Sequence, residues 1–129
     1  MDTPSSIIEL AERFLTAIMA KDIPGVRAAY APDARIWHNT DSVFQSVEDN
    51  IRGVHWIHKV LSNVHYEIKQ RFVYADGFVQ EHILRGTLAS GESFAMPACV
   101  ICTVQAGRIT SLCEYLDSAH VQPLLKSRT

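Results

Sequence analysis

The second half of the chain constrains the fold most. Four segments of strand length follow one another, roughly 64–74, 78–89, 92–104 and 108–117. Only Ala75-Asp76-Gly77, Ser90-Gly91 and Gln105-Ala106-Gly107 separate them. These breaks have hairpin chemistry, since Gly supplies the positive φ that such turns need. An antiparallel meander is therefore expected. Its third segment, "SFAMPACVICTV", is apolar at both alternating parities, so both sides of the sheet should be covered there. Helices can cover one side, and a second copy of the chain is the economical cover for the other. A homodimer packed sheet to sheet follows as an expectation.

The first half reads differently. Residues 5–20 open on serines and then repeat Ile7, Leu10, Phe14, Ala17 and Ile18 at helical spacing. Asp22 is a candidate N-cap for a second, short helix that stops before Pro32, because the residue preceding a proline disfavours helix. "ARIWH", 34–38, reads as a first strand. Residues 46–61 are helical again, with Ser46 as cap, Glu48 and Asp49 in the first turn, and Ile51, Val54, Ile57, Val60 and Leu61 on the apolar stripe. "SAHVQPLL", 118–125, closes the chain as a short helix. Helices first and a meander afterwards give an α+β class, and 129 residues suit a single domain spanning 1–129.

Charge and composition narrow the partners. The net charge is -2 and no basic run is present, which argues against nucleic acid, whose phosphates require clustered Lys and Arg. The N-terminus lacks the basic and apolar regions of a signal peptide. No apolar run approaches the ~20 residues that span a bilayer, so no membrane partner is expected. The three cysteines, Cys99, Cys102 and Cys113, are an odd number, which fits free thiols in a cytoplasmic protein. His55 and His58 are three apart on a helix but have no third ligand at matching spacing. Cys99 and Cys102, three steps apart on a strand, fall on opposite faces. No metal is expected.

Several segments together resemble the SnoaL-like (polyketide cyclase-like) domains of the nuclear transport factor 2-like superfamily. They are "AAYAPDARIWHN", "GFVQEHILRGTLASGESFAMPACVICTV" and the ending "AGRITSLCEYLDSAHV". The resemblance runs over about residues 5–122. It implies a cystatin-like cone in which N-terminal helices pack on a curved antiparallel sheet around a cavity. It also implies a small hydrophobic or cyclic ligand and, if the protein is an enzyme, acid–base chemistry without a cofactor. The reaction would be an isomerisation, cyclisation, hydration or dehydration. The other reading is a non-catalytic ligand-binding or dimerisation module.

Two enzyme classes of the superfamily can be laid on these residues. The Tyr and Asn that hold water in limonene-epoxide-hydrolase-like members fall on Trp37 and Asn39. Their central Arg and Asp fall on His82 and Leu84, and their last-strand Asp falls on Glu114. Leu84 breaks the Asp–Arg–Asp set. The base of ketosteroid-isomerase-like members falls near His38, and their oxyanion donors fall at about Cys99 and Phe14, neither of which is a strong donor. Both activities are disfavoured.

Among individual residues, alternation divides Trp37 and Asn39 from His38. The resemblance puts Trp37 and Asn39 in the cavity as an aromatic wall and an orienting amide. The alternative is a core Trp beside a strand-end Asn that satisfies backbone groups. His38 is an acid–base candidate because an unperturbed His titrates near neutrality, but on a regular strand it faces away from Asn39 and reaches the cavity only through a bulge. Glu114 lies between Leu112 and Leu116 on its face, and a buried carboxylate needs a partner. His82, which shares its face with Gln80 and Leu84, is that partner by family geometry. The pair is either an acid–base site or a structural contact that shapes the pocket. His82, Glu114, Asn39 and His38 are thus the candidate catalytic residues; Trp37, Leu84, Phe14, Cys99 and Leu112 are the candidate ligand-lining ones. Lys69, Arg71, Glu81 and Arg85 are expected on exposed or interface faces.

Overall fold

A computed structural model describes residues 2–126. Two helices, α1 (Pro4–Met19) and α2 (Ile23–Ala29), lead into β1 (Tyr30–His38). A two-residue strand β2 (Phe44–Gln45) precedes α3 (Val47–Val60), and the meander β3 (Leu61–Tyr74), β4 (Gly77–Leu88), β5 (Ser93–Gln105) and β6 (Arg108–Leu116) follows. A 3-10 turn (Ser118–Val121) and α4 (Gln122–Lys126) replace the single closing helix that the sequence suggests. The strands form one sheet in the order β2-β1-β6-β5-β4-β3. All neighbours are antiparallel except β1 and β6, which run parallel.

Local chemistry sets the ends of these elements. Thr3 and Ser6 form a reciprocal capping box at α1, and Ser46 and Asp49 form another at α3. The Asp22 carboxylate accepts from the Gly25 N–H at the start of α2. The β5–β6 turn has Ala106 and Gly107 both at positive φ, 52° and 74°, as a tight right-twisted hairpin requires. Gly91 is at φ 90° in the preceding turn. Gly77 departs from the expectation that it supplies positive φ. It is small because a Cβ there would lie 1.9 Å from the Cys102 carbonyl oxygen.

The helices pack on one face of the sheet. Ile7, Leu10, Phe14 and Ile18 of α1 meet Ile36, Phe78, Val100 and Leu112 of the strands in the main core. A second cluster closes the other end, where Leu124 of α4 is buried among Val60, Leu61, Leu84, Phe94 and Met96. The result is the curved α+β cone. In β5 the buried side chains are Phe94, Met96, Ala98, Val100, Cys102 and Val104, while Ala95, Pro97 and Ile101 are exposed. One face is thus covered by the helices of this chain. The other, apolar as well, is open in the single chain. Cys99 and Cys102 fall on opposite faces, and the cysteines are free thiols. No helix among the described residues is long and apolar enough to cross a membrane.

Candidate functional site

A cavity of about 270 Å³ lies between α1, α3 and the inner face of the sheet. Its walls are mainly apolar, with Phe14, Trp56, Leu84, Met96 and Leu112 among them. Thr40, Gln45, Asp49 and Asn50 contribute polar groups to its lining. Gln80 and His82 are the buried polar residues among those described, and both face the cavity.

Sheet register assembles the polar cluster. His38 ends β1 directly beside Glu114 of the parallel strand β6. The two side chains meet at 3.1 Å, His38 Nε2 to Glu114 Oε1. His82 approaches the other carboxylate oxygen, with Nε2 at 3.8 Å from Oε2. That separation is too long for a hydrogen bond, and His82 Nε2 is buried without a partner among the described residues. On its far side His82 Nδ1 lies 2.8 Å from the Gln80 amide nitrogen. The Gln80 amide oxygen in turn accepts from Arg71 Nε and Nη2 at 2.9 and 2.7 Å. The Tyr66 ring stands edge-on to His82 with centroids 4.9 Å apart.

This arrangement polarises the titrating groups. Burial works to raise the Glu114 carboxyl, but the hydrogen bond from His38, with His82 close by, overcomes it and holds the group at about 2. The same hydrogen bond raises the His38 imidazole above its ordinary 6.5, against the opposing effect of burial. Burial, aided by the Glu114 charge, pushes the Tyr66 phenol well above its usual range. Tyr30 is raised for the same first reason and donates its hydroxyl to Asn50 Oδ1 at 2.8 Å. A carboxylate held ionised between two imidazoles inside a mainly apolar cup can accept a hydrogen bond from a bound molecule, and the raised His38 imidazole beside it can carry the proton. The unpaired His82 nitrogen can contact that molecule's oxygen.

The family model for a SnoaL-like domain matches residues 11–112. The chain belongs to this family. Solved structures agree on the fold. PrhC from Penicillium brasilianum superposes with a TM-score of 0.85 at 15% identity, covering 98% of this chain and 89% of that one. TsrD from Streptomyces laurentii gives 0.82 at 18% identity, with 98% and 99% covered. An LEH-like epoxide hydrolase of M. tuberculosis gives 0.77 at 18% identity, with 95% and 92% covered. At such identities the likeness is one of fold alone. No curated protein matches the chain.

Within this SnoaL-like cone, His82, Glu114 and His38 converge, and Phe14, Leu84 and Leu112 line the cavity. Three other expectations about position are corrected. Trp37 lies on the outer face, its ring 5.3 Å from that of Tyr115. Asn39 is also outside the cavity. Its amide donates to the Leu116 carbonyl at 3.1 Å and accepts from the Leu116 N–H at 3.0 Å, which extends the β1–β6 ladder by one side chain. Cys99 is at the outer parity of β5, opposite Tyr115. The physical reason is plain parity. Ala34, Ile36 and His38 form the inner set of β1, with Ile36 fully buried, and Arg35 shares the outer set with Trp37. The charge of Arg35 was the available signal. No bulge near His38 is needed, since the irregularity of β1 falls between Tyr30 and Arg35.

Arg71 is a further correction. It is not a solvated surface charge: its side chain is 15% exposed and braces Gln80. A bulge in β3 between Ile68 and Gln70 shifts the strand by one residue. Simple alternation from Tyr66 would have put Gln70 inside instead. Tyr66 and Gln80 complete the site; only Gln80 had a signal, its shared parity with His82. His58 is used elsewhere, with Nε2 2.7 Å from the Ile18 carbonyl oxygen.

Proposed function

We propose that this SnoaL-like domain binds a small hydrophobic or cyclic molecule and acts on it by acid–base chemistry without a cofactor. The reaction class is isomerisation, cyclisation, hydration or dehydration. The observation that carries the reading is Glu114 set between His38 and His82 in the lining of a mainly apolar cavity. A buried ring nitrogen is costly to leave unpaired, so a ligand oxygen that reaches His82 Nε2 in the cavity gains a hydrogen bond there. In this reading the His38–Glu114 pair takes up and returns a proton, and His82 Nε2 holds the oxygen on which charge develops. General acid–base assistance of this kind contributes about 10²–10⁴-fold in rate. Leu84 in the cavity wall argues against epoxide hydrolysis by a paired-carboxylate set. Phe14 and the outward Cys99 argue against a steroid-isomerase oxyanion hole.

A thermal-shift screen of small hydrophobic alcohols, ketones and lactones tests the binding reading, followed by mass analysis of each hit for conversion. Hits should weaken in His82→Ala and Glu114→Gln; equal binding in all three proteins refutes the site. Binding without conversion of any hit favours the receptor reading over the enzyme.

The open face of the sheet supports a homodimer in the same proposal. Trp37, Tyr115, Ile101 and Ile83 present apolar surface there, with Tyr115 and Ile101 exposed. Contiguous apolar surface of this kind marks association sites.

A further inference from the structure

The group that decides which ligand fits is one shell away from the cavity. A guanidinium has only donors, so the two short contacts from Arg71 fix which end of the Gln80 amide faces it: the oxygen. The NH₂ end then faces His82 and donates to Nδ1 at 2.8 Å. An Nδ1 that accepts is unprotonated, which leaves the imidazole proton on Nε2. Nε2 is the atom that is buried, unpartnered and 3.8 Å from Glu114 Oε2.

We infer that Arg71 is a positioning residue which, through Gln80, holds His82 as its Nε2–H tautomer, so that the cavity takes its ligand through one uncharged hydroxyl oxygen placed between His82 and Glu114. The inference rests on the proposed small-molecule site and names its ligand class. One oxygen can stand about 2.8 Å from both atoms, a normal hydrogen-bond length. A hydroxyl there accepts from Nε2–H and donates to the carboxylate, satisfying both. A ligand carboxylate has no proton for Glu114 and meets its charge at close range. An ammonium cannot accept from Nε2–H. The remainder of the molecule lies against Phe14, Leu84, Met96 and Leu112. The same geometry suits an enolisable carbonyl in its enol form, which links the site to proton-transfer chemistry.

Side-chain ¹⁵N NMR of the ligand-free protein reads the tautomer directly. In the wild type His82 should show a protonated Nε2 and an unprotonated Nδ1. Gln80→Glu keeps the shape and the Arg71 contact but offers His82 an acceptor, so Nδ1 should gain a proton, alone or within an imidazolium. Arg71→Met frees the amide to turn and should mix the two tautomers. A His82 signal unchanged in both variants overturns the relay and leaves the proposed site standing. Three probes then test the ligand class by cavity chemical shifts: cyclohexanol, methylcyclohexane and cyclohexanecarboxylate. Cyclohexanol should bind about tenfold tighter than the other two; in Gln80→Glu it should lose roughly two- to tenfold, the worth of one hydrogen bond, if NMR shows the neutral Nδ1–H ring, and keep its affinity if NMR shows the imidazolium, which retains Nε2–H. If methylcyclohexane equals cyclohexanol, or the carboxylate binds as well, the hydroxyl assignment falls while the apolar cavity remains a binding site. If none of the three perturbs the cavity, the assignment and the site reading fall together.

Discussion

The His38–Glu114 pair makes the stability of this protein depend on pH in a defined window. His38 is raised above 6.5, so its share of the stabilisation is full below that value and fades as pH rises through the folded-state value. Glu114 is lowered from 4.5 to about 2, so its share is full above 4.5 and fades as pH falls toward 2. The pair therefore contributes most between pH 4.5 and 6.5. Glu114→Gln should cost about 1–3 kcal/mol near pH 5.5 and clearly less near pH 9 or pH 2. Urea unfolding at the three pH values checks this; an equal penalty throughout would mean that packing, not the ion pair, is lost. His38→Ala should show the same loss of pH dependence on the alkaline side.

Two predictions belong to secondary-structure elements. The close approach of β4 to β5 at Gly77 leaves no room for a methyl group, because the opposing atom is backbone and cannot turn aside. Gly77→Ala should destabilise by about 1–3 kcal/mol, the usual cost of overpacking, read as a lowered Tm. A Tm within a degree of wild type would show that the strands separate freely there. At α3 the capping box fixes the helix that walls the cavity. Ser46→Ala should cost about 1 kcal/mol, whereas Ser46→Asp, which keeps the acceptor, should cost much less. Equal losses in the two variants would place the effect outside the cap. The β3 bulge acts at this same scale: by shifting one strand it turns Arg71 inward and supplies the brace for Gln80.

For the whole molecule, the open sheet face is an apolar surface that folding of one chain does not cover. A dimer through this face should appear as twice the chain mass in sedimentation equilibrium at micromolar concentration. Ile101→Asp, placed at its centre by the β4–β5–β6 register, should shift the protein toward monomer. The cavity lies on the opposite side of the sheet, so the pH dependence of the His38–Glu114 pair should survive. A wild-type monomer, or a dimer indifferent to Ile101→Asp, removes this face as the interface.

Local sequence determined the elements and the family. Hairpin glycines, capping residues and helical stripes are short-range signals, and they marked the helices and the meander to within a few residues. The need of Glu114 for a partner was also legible, because Leu112 and Leu116 flank it at its own parity; it was the family resemblance that named His82. Tertiary structure decided the rest. Trp37 and Ile36 are both apolar, so those two positions did not settle which parity of β1 faces inward, and the charge of Arg35 was the one local sign; the parallel register with β6 brought in His38 while turning out Trp37 and Asn39. Arg71 was illegible for a related reason. A bulge is set by how two strands fit together, and one extra residue reverses every side chain beyond it. The polar network of the cavity depends on register between distant strands, which no local pattern encodes.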